Sequence, residues 1–311
     1  RAEGYRNFAT KLWNAARFTE MNECSVPEGF APGAVKAIVN RWILSELGEA
    51  RRAVAQGIED LRFNEAAAAL YQFVWGIYCD WYLEFAKPFL SGPDGATKSE
   101  TRATAAYVRD QILILMHPFT PFITEELWVN FGDGKRATSL TLARWMETDE
   151  LSDPGARAEM ASVVDLISRI RSVRTEMRVP PAAQLVLHAG EADRAGVDLI
   201  SRHGELIYRL ARLMEISNDP APNTGTLQII FGTAGFQLPV AEFIDVFAER
   251  ARIAKEIEKA IVEIEKIDKK LGNADFVAKA PEEVVEENRE RREEFESGVT
   301  RLSAALEGLA K

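Results

Sequence analysis

The chain has 311 residues, 47% of them hydrophobic and 28% charged, with a formal net charge of −10. That length holds two or three domains with real cores, and the apolar content excludes a disordered chain. Two cysteines, Cys24 and Cys79, and three histidines without HExxH spacing argue against a disulfide framework, a zinc site or a Ser-His-Asp triad. No run approaches the roughly 20 apolar residues of a membrane span, and the longest apolar stretch is Ile112 to Met116. No charged-then-apolar leader is read at the start, so no membrane and a reducing cytoplasm are expected. Arg1 falls inside a helical pattern, and the chain is expected to be a piece of something longer. The acidic balance weighs against a nucleic-acid partner unless cations gather locally.

Long amphipathic helices come first. Phe8, Leu12, Ala15 and Thr19 share one helical face. After the break at Pro27–Gly33, a second helix turns Val35, Ile38, Val39, Trp42, Ile43 and Leu47 inward. A third is predicted from about Phe63 to Lys87, ending before Pro88, where the ladder loses its donor. The loop Ser91–Gly95 precedes a fourth, about Lys98 to Met116. A short fifth helix has Thr120 as N-cap and Pro121 in its first turn. The expected fold is mainly α, opening with an antiparallel helix bundle over residues 1–148.

Residues 149–247 read as a small α+β module. A helix from about Pro154 to Arg178 ends at Val179-Pro180-Pro181, and a strand follows at Gln184–His188. One or two short helices occupy residues 192–214, then a hairpin pairs Thr226–Phe231 with Phe236–Val240 around Gly232–Gly235. In residues 248–311, Ile253, Ile257, Ala260, Ile264, Ile267 and Leu271 form one narrow apolar stripe. Phe295, Val299, Leu302, Leu306 and Leu309 form another. Gly272-Asn273 and Ala280-Pro281 separate them, which predicts an antiparallel coiled-coil hairpin.

Catalytic chemistry is sparse, and no glycine-rich phosphate loop occurs. Glu125 and Glu126 point about 100° apart on a helix, which reads as surface charge. Cys79 reads as core packing and His117 as a helix-end histidine. This absence favours a binding module over an enzyme. A helical scaffold whose coiled coil binds protein remains open at this point.

Further residues carry a resemblance. Gly4–Phe18 is similar to the segment that opens the anticodon-binding domain of valyl-tRNA synthetases. Asn40-Arg-Trp-Ile-Leu44 resembles the family's D-R-W-I-L helix, with Asn40 in place of the acid. Arg62–Glu65, Cys79–Glu84, His117–Trp128, Arg171–Pro181 and Phe276–Val285 resemble later landmarks of that family in order. Isoleucyl-type enzymes share the bundle but typically end in a cysteine-rich zinc module, and no cysteine follows Cys79. The class signatures HIGH and KMSKS are absent here and are expected upstream of Arg1. The resemblance implies a C-terminal piece of a valine–tRNA ligase, inactive alone. Its implied partners are tRNA(Val) and the rest of the synthetase chain. It implies a monomer with no cofactor of its own, ATP with Mg serving the full-length enzyme.

It also implies site residues. Lys11, Asn14 and Phe18 share one face of the first helix and Arg17 flanks it, a set able to hold phosphate, read a base edge and stack. Spacing alone makes Phe18 a core aromatic; the resemblance makes it a stacking ring, with Leu83 closing the pocket. Arg171, Arg174 and Arg178 line one side of their helix, read either as snorkelling surface arginines or as a clamp on the tRNA backbone. Arg252, Lys255, Lys259, Lys266 and Lys270 fall within about 60° on a helical wheel, interrupted by Glu263. That stripe suits a tRNA's outer corner, or equally ion pairing with Glu286, Glu290, Glu293 or Glu294 across the hairpin.

Overall fold

The computed structural model describes residues 2–132, 136, 138–145, 151–189, 194–231 and 234–309. The chain divides into two compact units, Arg1–Val164 and Asp165–Lys311. The fold is mainly α with one small sheet.

The first unit is a bundle of α1 (Ala2–Met21), α2 (Ile38–Glu59), α3 (Phe63–Tyr71), α4 (Leu83–Ser91), α5 (Ala96–Met116) and α6 (Pro121–Asn130). Ile43, Leu47, Val54, Phe73, Tyr78, Phe85, Ile112 and Leu127 form its sealed core. The third predicted helix differs in two ways. Its centre, Gln72–Tyr82, is a π-helix joining α3 to α4, a change of pitch that apolar spacing does not reveal. It also continues past Lys87, with Pro88 inside α4. Burial of Phe85, Ala86 and Leu90 explains this, because each large apolar side chain contributes about 1.5–3 kcal/mol against a proline cost of about 3. Pro121 opens α6 as expected, but Thr120 does not cap it; its hydroxyl donates back to Met116 O at 3.3 Å.

α7 (Pro154–Glu176) runs from the first unit into the second. There β1 (Leu185–His188), α8 (Arg194–Ala211), β2 (Leu213–Ser217), β3 (Thr226–Phe231) and β4 (Ala234–Pro239) build a sheet of order β2-β1-β4-β3. β3 and β4 form the expected hairpin, with Thr226 opposite Pro239; residues 232–233 of its predicted turn lie outside the described residues. β2 was not predicted: residues 213–214 read as the end of a helix, but they pair in parallel with β1, and α8 is the crossover that parallel pairing requires.

α9 (Val246–Leu271), α10 (Ala274–Lys279) and α11 (Glu282–Gly308) complete the second unit. Asp245 caps α9 by accepting from Ala248 N–H at 3.0 Å. α9 and α11 pack as a two-helix hairpin, with Ile253 and Ile267 buried and Phe295, Val299 and Leu302 half-buried. Among the described residues, no helix is long and apolar enough to cross a membrane.

Candidate nucleic-acid interface

α1 buries Leu12, Ala15, Ala16 and Thr19, which fixes its opposite face outward. An internal ionic group anchors it: Arg109 donates to the Thr19 hydroxyl at 3.0 Å and to Asp110, which also pairs with Arg136 at 2.7 Å. The outward face carries the predicted set, with Asn14 and Arg17 exposed and Lys11 and Phe18 half-buried. Lys11 is not free. Its ammonium pairs with Asp80 and lies 3.8 Å from the Trp75 ring centroid, both on the π-helix. Phe18 has the Lys87 ammonium 5.9 Å from its ring centroid, and Lys87 pairs with Glu84. Leu83 is buried at the start of α4, a packing position. Trp75 and Asp80 were missed from sequence. Trp75 continues a stack of rings with Phe8 and Tyr71, 6.4 and 5.7 Å from theirs, and an aromatic run in a helix reads first as core.

The three arginines of α7 and its end separate. Arg171 is exposed and donates through Nε to Leu210 O at 2.9 Å. Arg174 departs from the expected clamp: it is buried and donates to Ala183 O at 2.7 Å, Pro180 O at 3.4 Å and Arg212 O at 3.5 Å. Burial, then the charge of Arg212, pushes its pKa down. Equal spacing on a helix does not tell which side the next strand covers, and here the 179–183 segment wraps Arg174. Arg178, past the end of α7, is exposed.

On the arm, Arg252 is engaged with Glu249, Glu256 and the Glu176 carbonyl, so it braces the base of α9. Lys266 pairs with Glu263 on its own helix at 2.6 Å. Among the described residues, Lys255, Lys259 and Lys270 are exposed and make no ion pair. An ion pair across the hairpin runs the other way, from Arg292 of α11 to Asp268 of α9 at 2.5 Å. Among the described residues, the α11 glutamates named as partners of the stripe form no ion pair with these lysines.

The remaining reactive groups are occupied by structure. Both oxygens of Glu125 accept from Leu140 N–H at 3.1 Å, and Glu126 accepts from Asn130 at 2.8 Å. His117 bridges the hydroxyls of Thr124 and Thr141 at 2.9 and 3.1 Å. Burial pushes the thiols of Cys24 and Cys79 up, to about 11 and about 12.

A helix bundle presenting a cation, an amide and a ring on its first helix, with a basic-striped hairpin on a second unit, has the form of a tRNA ligase's anticodon-binding region. Residues 40–189 match the family described as the anticodon-binding domain of tRNA ligase, and residues 245–310 match the valyl tRNA synthetase tRNA binding arm. The chain is 50% identical to a valine–tRNA ligase of Caulobacter vibrioides, covering 100% of this chain and 34% of that protein. It is 46% identical to one of Bradyrhizobium diazoefficiens, covering 99% and 36%, and 48% identical to one of Brucella suis, covering 98% and 34%. The chain belongs to the valine–tRNA ligase family, and it spans about a third of the length of these curated relatives.

Proposed function

We propose that this chain is the tRNA-holding part of a cytoplasmic valine–tRNA ligase. The outward face of α1, with Lys11, Asn14, Arg17 and Phe18, receives the anticodon bases. Lys255, Lys259, Lys266 and Lys270 follow the tRNA backbone along the arm, and Leu83 closes the pocket. The contribution is orientation: binding energy positions the acceptor end for a reaction carried out elsewhere in the ligase. ATP and Mg belong to that reaction, and no residue of this chain is assigned to them. Phe122 of α6 is 91% exposed and Val129 58%, apolar surface that suits attachment to the rest of a synthetase chain.

The observation that carries this reading is the pairing of two tRNA-directed family matches with unpaired lysines on α9. Titrating the chain with tRNA(Val) at several salt concentrations tests it. Affinity is expected to fall steeply with salt, and to drop when the anticodon is exchanged or with Phe18→Ala. Binding indifferent to anticodon and salt removes the reading, and a protein-binding scaffold then takes its place.

A further inference from the structure

Arg178 and Arg212 follow the ends of α7 and α8, and both hold left-handed backbone, at φ 51° and 54°. At Arg178 the helix closes in Schellman form, with Arg178 N–H to Thr175 O at 3.1 Å and Val179 N–H to Arg174 O at 2.9 Å. Glycine or asparagine suits that backbone best. Glu23 and Leu61 adopt it too after α1 and α2, so conformation alone does not single out the two arginines.

Their surroundings do. The buried guanidinium of Arg174 lies between the two segments, tied to Pro180 and Ala183 on one side and to Arg212 O on the other. The Arg212 side chain donates back to Pro181 O. Carbonyls take donors of Arg174 and Arg212; among the described residues, Arg174, Arg178 and Arg212 form no ion pair. The carboxylate two residues before Arg178 is already engaged, since Glu176 pairs with Arg301 at 2.6 Å. Among the described residues, Arg212 uses one of its five N–H donors internally, and Arg178 uses none. A chain of net charge −10 thus leaves two exposed guanidinium groups with no paired carboxylate among the described residues, beside the foot of the arm, where Arg252 reaches Glu176 O at 2.6 Å.

We propose that Arg178 and Arg212 form a phosphodiester-binding site for the tRNA backbone, with Arg174 as the positioning residue that joins them. Arginine's planar fork matches two phosphate oxygens, and the bond from Arg212 to Pro181 O restrains one of the two side chains before binding. The site rests on the tRNA-holding reading given above and adds Arg178 and Arg212 to it.

The test is the Arg178→Asn, Arg212→Asn double variant of the chain, titrated with tRNA(Val) across salt and unfolded in urea. Asparagine keeps the left-handed backbone and removes both charges. The urea midpoint is expected to hold or rise. Affinity is expected to fall about tenfold or more, and the slope of log affinity against log salt to become shallower by about one to two. If the wild-type chain binds with a steep slope and the variant matches it, the site is wrong and the function stands. If the wild-type chain does not bind, the function falls and the site with it. Should the asparagine pair fail to fold, glutamine and lysine pairs at the same positions differ chiefly in charge. A steeper slope for the lysine pair supports the site, and equal slopes overturn it.

Discussion

The side-chain amide of Asn40 donates to the Glu100 carboxylate at 2.9 Å. It also donates to the Thr101 hydroxyl at 3.1 Å, while its oxygen accepts from Tyr82 O–H at 3.1 Å. Glu100 in turn accepts from the N–H groups of Lys36 and Ala37, ahead of α2, at 2.8 and 2.9 Å. The residue that departs from the D-R-W-I-L pattern therefore joins three helices. Asn40→Asp sets a second carboxylate against that of Glu100 in a buried site and is expected to cost about 3 kcal/mol at pH 7, read by urea unfolding. The introduced carboxyl is held protonated in the fold, so the loss sets in as pH rises above its unfolded pKa, is complete only above its raised folded pKa, and is absent below the carboxylate range. Glu100→Gln in the same chain is expected to recover most of it. Equal stability of Asn40→Asp and wild type at pH 7 contradicts this arrangement.

The two thiols predict an alkaline limit. Cys24 and Cys79 ionise at about 11 and about 12 in the fold against an ordinary value of 9.0, with burial as the first cause. Tyr78 and Tyr82, both sealed in the same bundle, are raised as well by burial. All four keep their protons longer folded than unfolded. Their contribution is intact below about pH 9 and is lost as pH rises, at up to roughly 1.4 kcal/mol per pH unit for each group. Iodoacetamide at pH 8.5 is expected to label neither cysteine at an appreciable rate until urea unfolds the chain. Rapid labelling of Cys24 in the native state excludes the buried thiol.

Asp80 is an acid on a face proposed to meet a polyanion, and it holds Lys11. Asp80→Asn is expected to release that ammonium and tighten tRNA binding several-fold at low salt, with the gain disappearing near 1 M salt. Lys11→Met is expected to weaken binding while changing stability by less than about 1 kcal/mol, because the pair is partly exposed. An unchanged affinity in both variants places the anticodon away from α1.

The apolar spacing of α1, α2 and the arm was enough to name those helices, since each carries its buried residues at helical spacing. Other features depend on partners that spacing does not see. β2 carries Met214 and Glu215, both exposed, so it lacks a strand's alternation and is a strand only because β1 lies beside it. The π-helix brings Trp75 and Asp80 to Lys11 through a pitch change with no signature in residue type. Arg174 and Arg171 looked alike on a wheel, but the segment after Val179 covers one and leaves the other exposed. The candidate site was legible as a list of residue types on a helix face. Its competition with nearby acids was not.

The arm gives the sharpest separation between holding charge and holding shape. Lys255, Lys259 and Lys270 stand free of ion pairs among the described residues, whereas Arg292 bonds Asp268 across the hairpin at 2.5 Å and Glu296 along its own helix at 2.8 Å. Replacing the three lysines by glutamine is expected to leave the thermal midpoint within about 1–2 °C, because exposed unpaired charges add little to stability. The same change is expected to reduce the salt slope of tRNA binding by about two to three and affinity by tenfold or more. Arg292→Gln does the opposite. It removes the cross-hairpin pair, lowers arm stability by up to about 1 kcal/mol, and barely alters the salt slope. Circular dichroism melting and tRNA titration of both variants check the pair of outcomes. If the lysine variant melts early and Arg292→Gln loses binding, the basic stripe holds the hairpin together and α11 is the side that meets the nucleic acid.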